Sequence, residues 1–198
     1  MLFDADDVLQ EVPGGWVESL RPWLGERAEE FLERQWGVEN AALRGEADYL
    51  ELLAEGLREF GVSATAEEIF PLVWHSIELA PDSLDVVRAV AGAGYGVHLG
   101  TNQEAHRAAY MRTELGFDDL FDVSVYSCDL GVAKPDPAYF TRAAELIGAD
   151  PSAVLFIDDR AANVAGARSA GMRAERWELD LGVPALRALL AGHGVELG

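Results

Sequence analysis

Lysine is almost missing from this chain: of its fifteen basic residues only Lys134 is a lysine, and the rest are arginines. Basic charge of either kind is scarce, with 15 basic against 35 acidic residues and a formal net charge of −20. That deficit excludes a nucleic-acid or anionic-membrane surface, which needs a basic face. Any anionic ligand must be drawn in locally, by a metal ion or by a few placed cations. Cysteine is nearly absent too. One residue, Cys128, excludes an intrachain disulfide framework and fits a reducing compartment. It stands beside Val125, Tyr126 and Ser127 with no histidine near in sequence, so it reads as a small half-buried residue rather than a nucleophile. No apolar run is long enough to cross a bilayer, and aspartate at position 4 does not suit a leader segment. A cytoplasmic protein is expected.

What the chain does contain suits one core domain with a modest insertion: 198 residues, 49% hydrophobic and 25% charged. From residue 81 onward, short β-rich runs alternate with helical patterns. Strands are expected over 95–101, 123–127, 153–157 and 174–177, with helices near 82–93, 103–115, 137–148, 161–170 and 183–191. The run Ala153-Val-Leu-Phe-Ile157 is apolar throughout, as in a strand buried on both faces. Such alternation implies a Rossmann-like parallel sheet with helices on both faces, an α/β fold. Ligands of these sheets bind beyond the carboxyl ends of the strands. Four polar segments fall there, three of them charged: Asp4-Ala-Asp6-Asp7 after Met1-Leu-Phe3, Thr101-Asn102, the loop carrying Lys134, and Asp158-Asp159.

Residues 13–80 have another texture, with four of the five tryptophans, Glu-rich helical runs and no convincing strand. Leu50, Leu53, Leu57 and Phe60 keep one face of a helix apolar. Thr65 with Glu68 three residues on reads as a capping box. The segment reads as an all-helical insertion, giving an α/β core over 1–12 and 81–198 and a helical unit over 13–80. Its tryptophans, Trp16, Trp23, Trp36 and Trp74, are read as the core of that unit rather than as a substrate box. The four histidines show no metal-ligand spacing, and Arg44 and Arg160 read as surface residues.

Phe3-Asp4-Ala-Asp6, Leu99-Gly-Thr101-Asn102, Lys134-Pro135 and Phe156-Ile-Asp158-Asp159 follow one another in the order of the four motifs of the haloacid dehalogenase superfamily, which the chain resembles over nearly its whole length. The helical insertion is similar to that family's small cap. A lone Asp-x-Asp carries little weight; four motifs in order and context carry much. The resemblance implies a hydrolase acting on a small phosphorylated metabolite, as a monomer or homodimer. In it Asp4 is the nucleophile and Asp6 the general acid–base. Asp4, Asp159 and the backbone carbonyl of Asp6 hold Mg²⁺, with Asp158 acting through water. Thr101 and the N–H of Asn102 bind phosphoryl oxygens, and Lys134 bridges nucleophile and phosphoryl group. Asn163 orients water or a ligand.

One position departs from the family pattern. Where relatives carry glycine after the second aspartate, this chain has Asp7, which is expected to tolerate positive φ and to point away from the metal. Other readings of the same residues are carbon–halogen hydrolysis, which needs neither metal nor second aspartate, a phosphomutase, and a phospho-acceptor signalling or non-catalytic interaction domain. In receiver domains the Lys-Pro follows all the acids, whereas here Asp158-Asp159 come after Lys134.

Overall fold

The shortest strand of the main sheet lies at its centre. The structure, a computed structural model, describes residues 1–197. Strand β1 (Leu2–Phe3) is flanked by β4 (His98–Thr101) and β6 (Leu155–Asp158), with β5 (Val123–Tyr126) and β7 (Arg173–Arg176) outside them. The order is β5-β4-β1-β6-β7, and every pairing in this sheet is parallel. The chain therefore builds outward from β1 in one direction, then crosses back to build in the other. Crevices at such a reversal are where open α/β sheets bind ligands.

Side chains alternate across the sheet as the pleat requires. Leu2, Val125 and Phe156 face the layer of α10 (Pro137–Ile147) and α11 (Ala161–Ser169). Phe3, Leu99 and Ile157 face α6 (Pro81–Gly92), α7 (Ala105–Thr113) and α12 (Gly182–Gly192). Full burial of a side chain such as Phe3 or Phe156 stabilises by roughly 1.5–3 kcal/mol. Gly100 lets β1 come close, since a Cβ there would stand 2.9 Å from the Leu2 side chain.

Residues 15–73 supply α1 (Gly15–Leu24), α2 (Ala28–Val38), α3 (Asn40–Leu43), α4 (Tyr49–Glu59) and α5 (Ala66–Val73). They bury a separate apolar cluster around Phe31, Leu53, Ile69 and Phe70. The anticipated Thr65–Glu68 capping box opens α5, with both reciprocal hydrogen bonds present.

Four expectations shift. Only 98–101 of the 95–101 run is strand, because Tyr95 follows left-handed Gly94 and is 40% exposed. The 153–157 strand starts at Leu155, since Asp150 caps a short 3-10 turn over Pro151–Ala153. The 174–177 strand is displaced by one residue to Arg173–Arg176. The 13–80 segment is not free of strand: β3 (Glu78–Leu79) pairs antiparallel with β2 (Gln10–Glu11) where the insertion joins the sheet. Two-residue strands are too short to show a period. Short helices α8 (Phe117–Leu120) and α9 (Ser127–Leu130) were likewise unmarked in the sequence. Among the described residues no helix is long and apolar enough to cross a membrane.

Candidate active site

The chain leaves β1 through a tight turn that presents two aspartates in different directions. The Asp4 N–H still donates to the Ile157 carbonyl at 2.9 Å, so its position is fixed by the sheet. Beyond it the Ala5 carbonyl accepts from Leu9 and Gln10 N–H, at 2.7 and 3.1 Å, and folds the segment back. Asp7 takes the strain of this reversal at φ 58°, the one non-glycine residue with positive φ among those described. It lies outside the group of converging carboxylates described next.

Lys134 sits between two of those carboxylates. Its ammonium is 2.8 Å from Asp4 Oδ1 and 2.7 Å from Asp158 Oδ2, and its side chain is 1% exposed. A guanidinium fork would not fit this gap. Two devices hold the lysine loop in place. The Asn102 side chain clamps the Lys134 backbone, donating from Nδ2 to its carbonyl at 2.9 Å and accepting its N–H at 2.8 Å. Gly166 of α11 lets the loop approach, because a Cβ there would lie 2.1 Å from the Pro135 carbonyl oxygen.

Asp158 is saturated: besides Lys134 it accepts from the Arg160 N–H and from Asn163 Nδ2, which is 3.0 Å from both its oxygens. The Asn163 amide thus orients Asp158. Asp159 differs: no other residue among those described donates a hydrogen bond to its carboxylate. Burial, with Asp158 and Asp7 adding repulsion, pushes its carboxyl up to about 6. Burial likewise pushes Asp4 well above the usual carboxylate range, with Lys134 opposing and Asp158 adding to the rise. Asp4, Asp158 and Asp159 each offer one oxygen, all within 4.8 Å of one another. Three crowded hard oxygen donors, one lacking any partner, fit a Mg²⁺-sized cation. The Asp6 carboxylate is not in this group, so only its backbone is left for the metal.

Instead Asp6 is gripped by a second cluster. Arg107 of α7 donates to both its oxygens at 2.8 Å, Gln103 donates at 2.8 Å and Gln10 at 2.9 Å. Burial alone would raise the Asp6 carboxyl; Arg107, aided by the two glutamines, overcomes this and holds it at about 2. The same guanidinium donates from Nε to the Trp74 carbonyl at 3.0 Å, tying α7 to the end of α5. None of these three partners was read as functional in the sequence. Gln103 precedes α7 and Arg107 lies in its first turn, so the turn into the helix brings them together, a juxtaposition that needs α7 to be known. Thr101 ends β4 nearly fully buried, and its Oγ1 accepts from Gln103 at 3.1 Å.

The helical layer closes the other side of a cleft of about 730 Å³. Trp16, Trp36 and Trp74 line it; Trp74 also belongs to the core of the helical unit, with Trp16 and Trp23 packed against it as expected, and only the exposed Trp36 departs from that reading. Glu39, between α2 and α3, lines it too and was not singled out in the sequence. Arg44 pairs with Glu46 on the surface, and no histidine joins the carboxylate group.

A sequence model of haloacid dehalogenase-like hydrolases matches residues 1–171. Phosphatase MT3486 of Mycobacterium tuberculosis is 32% identical over 188 residues, covering 88% of this chain and 84% of its own length. A phosphoglycolate phosphatase of Nitrosococcus oceani is 30% identical over 148 residues, 71% of this chain and 64% of its own. Another from Pseudomonas aeruginosa is 24% identical, and this chain spans 56% of it. Among solved structures, a HAD family enzyme of Bacteroides thetaiotaomicron in complex with magnesium and inorganic phosphate superposes with TM-score 0.78 at 20% identity, covering 93% of this chain and 96% of that one. L-2-haloacid dehalogenase of Xanthobacter autotrophicus superposes with TM-score 0.69 at 22% identity, covering 98% and 83%. The chain belongs to the haloacid dehalogenase-like hydrolases and is an enzyme of that family.

Proposed function

We propose that the protein is a Mg²⁺-dependent phosphatase of small phosphomonoesters, working through a phosphorylated Asp4. The observation that carries this reading is the Lys134 ammonium between Asp4 and Asp158, with the unpartnered Asp159 beside them at the sheet's reversal. The relatives named as phosphatases support it. An Asp4 carboxylate oxygen attacks phosphorus, forming an acyl-phosphate bond as the bond to the alcohol oxygen breaks. Lys134 holds the attacking carboxylate and offsets charge on the transferring group, while Thr101 Oγ1–H and the Asn102 N–H are donors for phosphoryl oxygens. Asp4, Asp159 and the Asp6 carbonyl, with Asp158 behind them, would hold Mg²⁺, which would supply further neutralisation of the phosphoryl oxygens.

Asp6 moves the protons: it relays the proton of the monoanionic ester to the departing alcohol oxygen, then takes one from the water that releases phosphate from Asp4. Its grip by Arg107, Gln10 and Gln103 presets it for the second of these tasks. The helical unit over 13–80 acts as a cap on the core of 1–12 and 81–198, shielding the cleft from bulk water. The dehalogenase reading is weaker, because that chemistry has no use for the Asp159 carboxylate or for a second aspartate as elaborately held as Asp6. Hydrolysis of p-nitrophenyl phosphate with Mg²⁺, its loss in EDTA and its loss in Asp4→Asn are the expected results. Full turnover in Asp4→Asn, or halide release from 2-haloacids in EDTA, would overturn the reading.

A further inference from the structure

Glu39 is a carboxylate with no work to do in the chemistry just described. It lies half-buried in the wall of the cleft, and among the described residues no donor comes within hydrogen-bonding distance of its carboxylate. Burial pushes its carboxyl up to about 7, against the pull of Arg160 and Arg107. Neither arginine reaches it. Arg107 is committed to Asp6, and Arg160 is an exposed side chain whose field is screened by solvent. A carboxylate half withdrawn from water and without a partner gains from any cation that enters the cleft beside it.

The surroundings say what that visitor carries. The charged residues of the lining are six acids, Asp4, Asp6, Asp7, Glu39, Glu104 and Asp159, against Arg107, Lys134 and Arg160. Of the three cations, the two buried ones are already spent on carboxylates. An anionic group arriving beside Glu39 would be repelled, whereas a cation would find a free acceptor there, on the helical side of the cleft away from the Asp4 cluster. The neighbouring wall is aromatic and already packed: Trp16 and Tyr49 lie 6.0 and 5.5 Å from Trp74, and Trp74 stacks on Phe70. Indole and phenol faces favour cations, and Trp16 already carries the Arg107 guanidinium at 5.0 Å from its ring centroid.

We infer that Glu39, with the Trp16–Trp36–Tyr49–Trp74 wall, selects phosphomonoesters whose alcohol portion ends in an ammonium group. This rests on the phosphatase reading of the same cleft and deepens it. The phosphoryl end sits at Asp4 and Lys134 on the sheet edge, and the ammonium end meets the carboxylate and ring faces of the helical layer. Glu39 is a specificity residue, distant from the reacting atoms in role.

Three esters of matched size test it: 2-aminoethyl, propyl and carboxymethyl phosphate, with p-nitrophenyl phosphate as the control for catalysis. The expected order of kcat/KM is aminoethyl above propyl by at least about tenfold, and carboxymethyl below propyl. In Glu39→Gln, which keeps size and shape, the aminoethyl-to-propyl ratio should fall to within about twofold of unity. Equal rates for aminoethyl and propyl phosphate, a preference for the carboxymethyl ester, or an amine preference that survives Glu39→Gln would each overturn the inference. Binding provides a separate measurement. In Asp4→Asn, quenching of tryptophan fluorescence should occur at lower concentrations of 2-aminoethyl phosphate than of propyl phosphate, and the reverse order overturns the claim. If p-nitrophenyl phosphate is not hydrolysed, the phosphatase reading falls while this binding order still decides the selectivity.

Discussion

Two buried cations divide the work at the sheet edge, and they do it in opposite ways. Lys134 is one ammonium shared between two carboxylates, and the group around it is short of positive charge; burial leaves Asp4 with a raised carboxyl. Arg107 is one guanidinium spent on a single carboxylate, with two glutamines assisting, and Asp6 is held at about 2. Two aspartates only two residues apart are thus set in contrasting environments by the ratio of donors to oxygens. Such divergence is how one site comes to hold groups of different protonation behaviour. The Lys134 cluster sets three crowded carboxylates against one ammonium, a shortage that the proposed Mg²⁺ would relieve. The Arg107 cluster is complete, so it positions and ionises Asp6.

The most severe way to break the contrast is to change the shared cation. Lys134→Arg keeps the charge, but the fork cannot occupy the gap between Asp4 and Asp158, and kcat should fall by about 10²–10³-fold. Circular dichroism of that variant should remain that of the wild type; undiminished turnover would mean that the ammonium shape is irrelevant.

Arg107→Met attacks the other cluster. It strips Asp6 of its counter-charge and should cost about 2–3 kcal/mol in urea unfolding, below the value for a wholly buried pair because the Asp6 side chain is 35% exposed. The pH dependence follows from the lowered carboxyl. A group at about 2 in the folded state and 3.8 ordinarily contributes stability that is complete above about pH 4 and lost as pH falls toward 2. Unfolding curves in that window should therefore converge between wild type and Arg107→Met as the pH drops. Parallel curves would show that the ion pair is not what holds Asp6.

The smallest effect sharpens the turn that separates the two aspartates. Asp7→Gly relieves a left-handed residue at φ 58° and should raise stability by about 0.5 kcal/mol, the gain being partly offset by a freer unfolded chain. Thermal unfolding of the two proteins side by side measures it.

The Lys134 cluster was legible in the sequence, and the Arg107 cluster was not. Asp4, Thr101, Lys134 and Asp158-Asp159 each follow a strand, so a parallel sheet gathers them whatever its details; a lone lysine among arginines marks the loop again. Arg107 is one of many arginines, and its link to Gln103 acquires meaning only when the turn into α7 is seen to bring both to Asp6. Glu39 ends a run already rich in glutamate, where a solvated face is the ordinary reading. Of the cap tryptophans only Trp36 departs from its reading, because an apolar helix position looks the same from sequence whether it meets a core or a cleft. The parallel order of the sheet was recoverable from alternation alone, but the β2–β3 pair was not, since its partners are short and far apart in the chain.

The most direct test is to trap phosphate on the nucleophile. Protein mixed with Mg²⁺ and a radiolabelled phosphomonoester, then quenched in acid within the first turnover, should carry label that peptide mapping places on Asp4. Asp4→Asn should carry none. Label on Asp6, or steady turnover with no labelled protein in repeated quenches, would contradict the account.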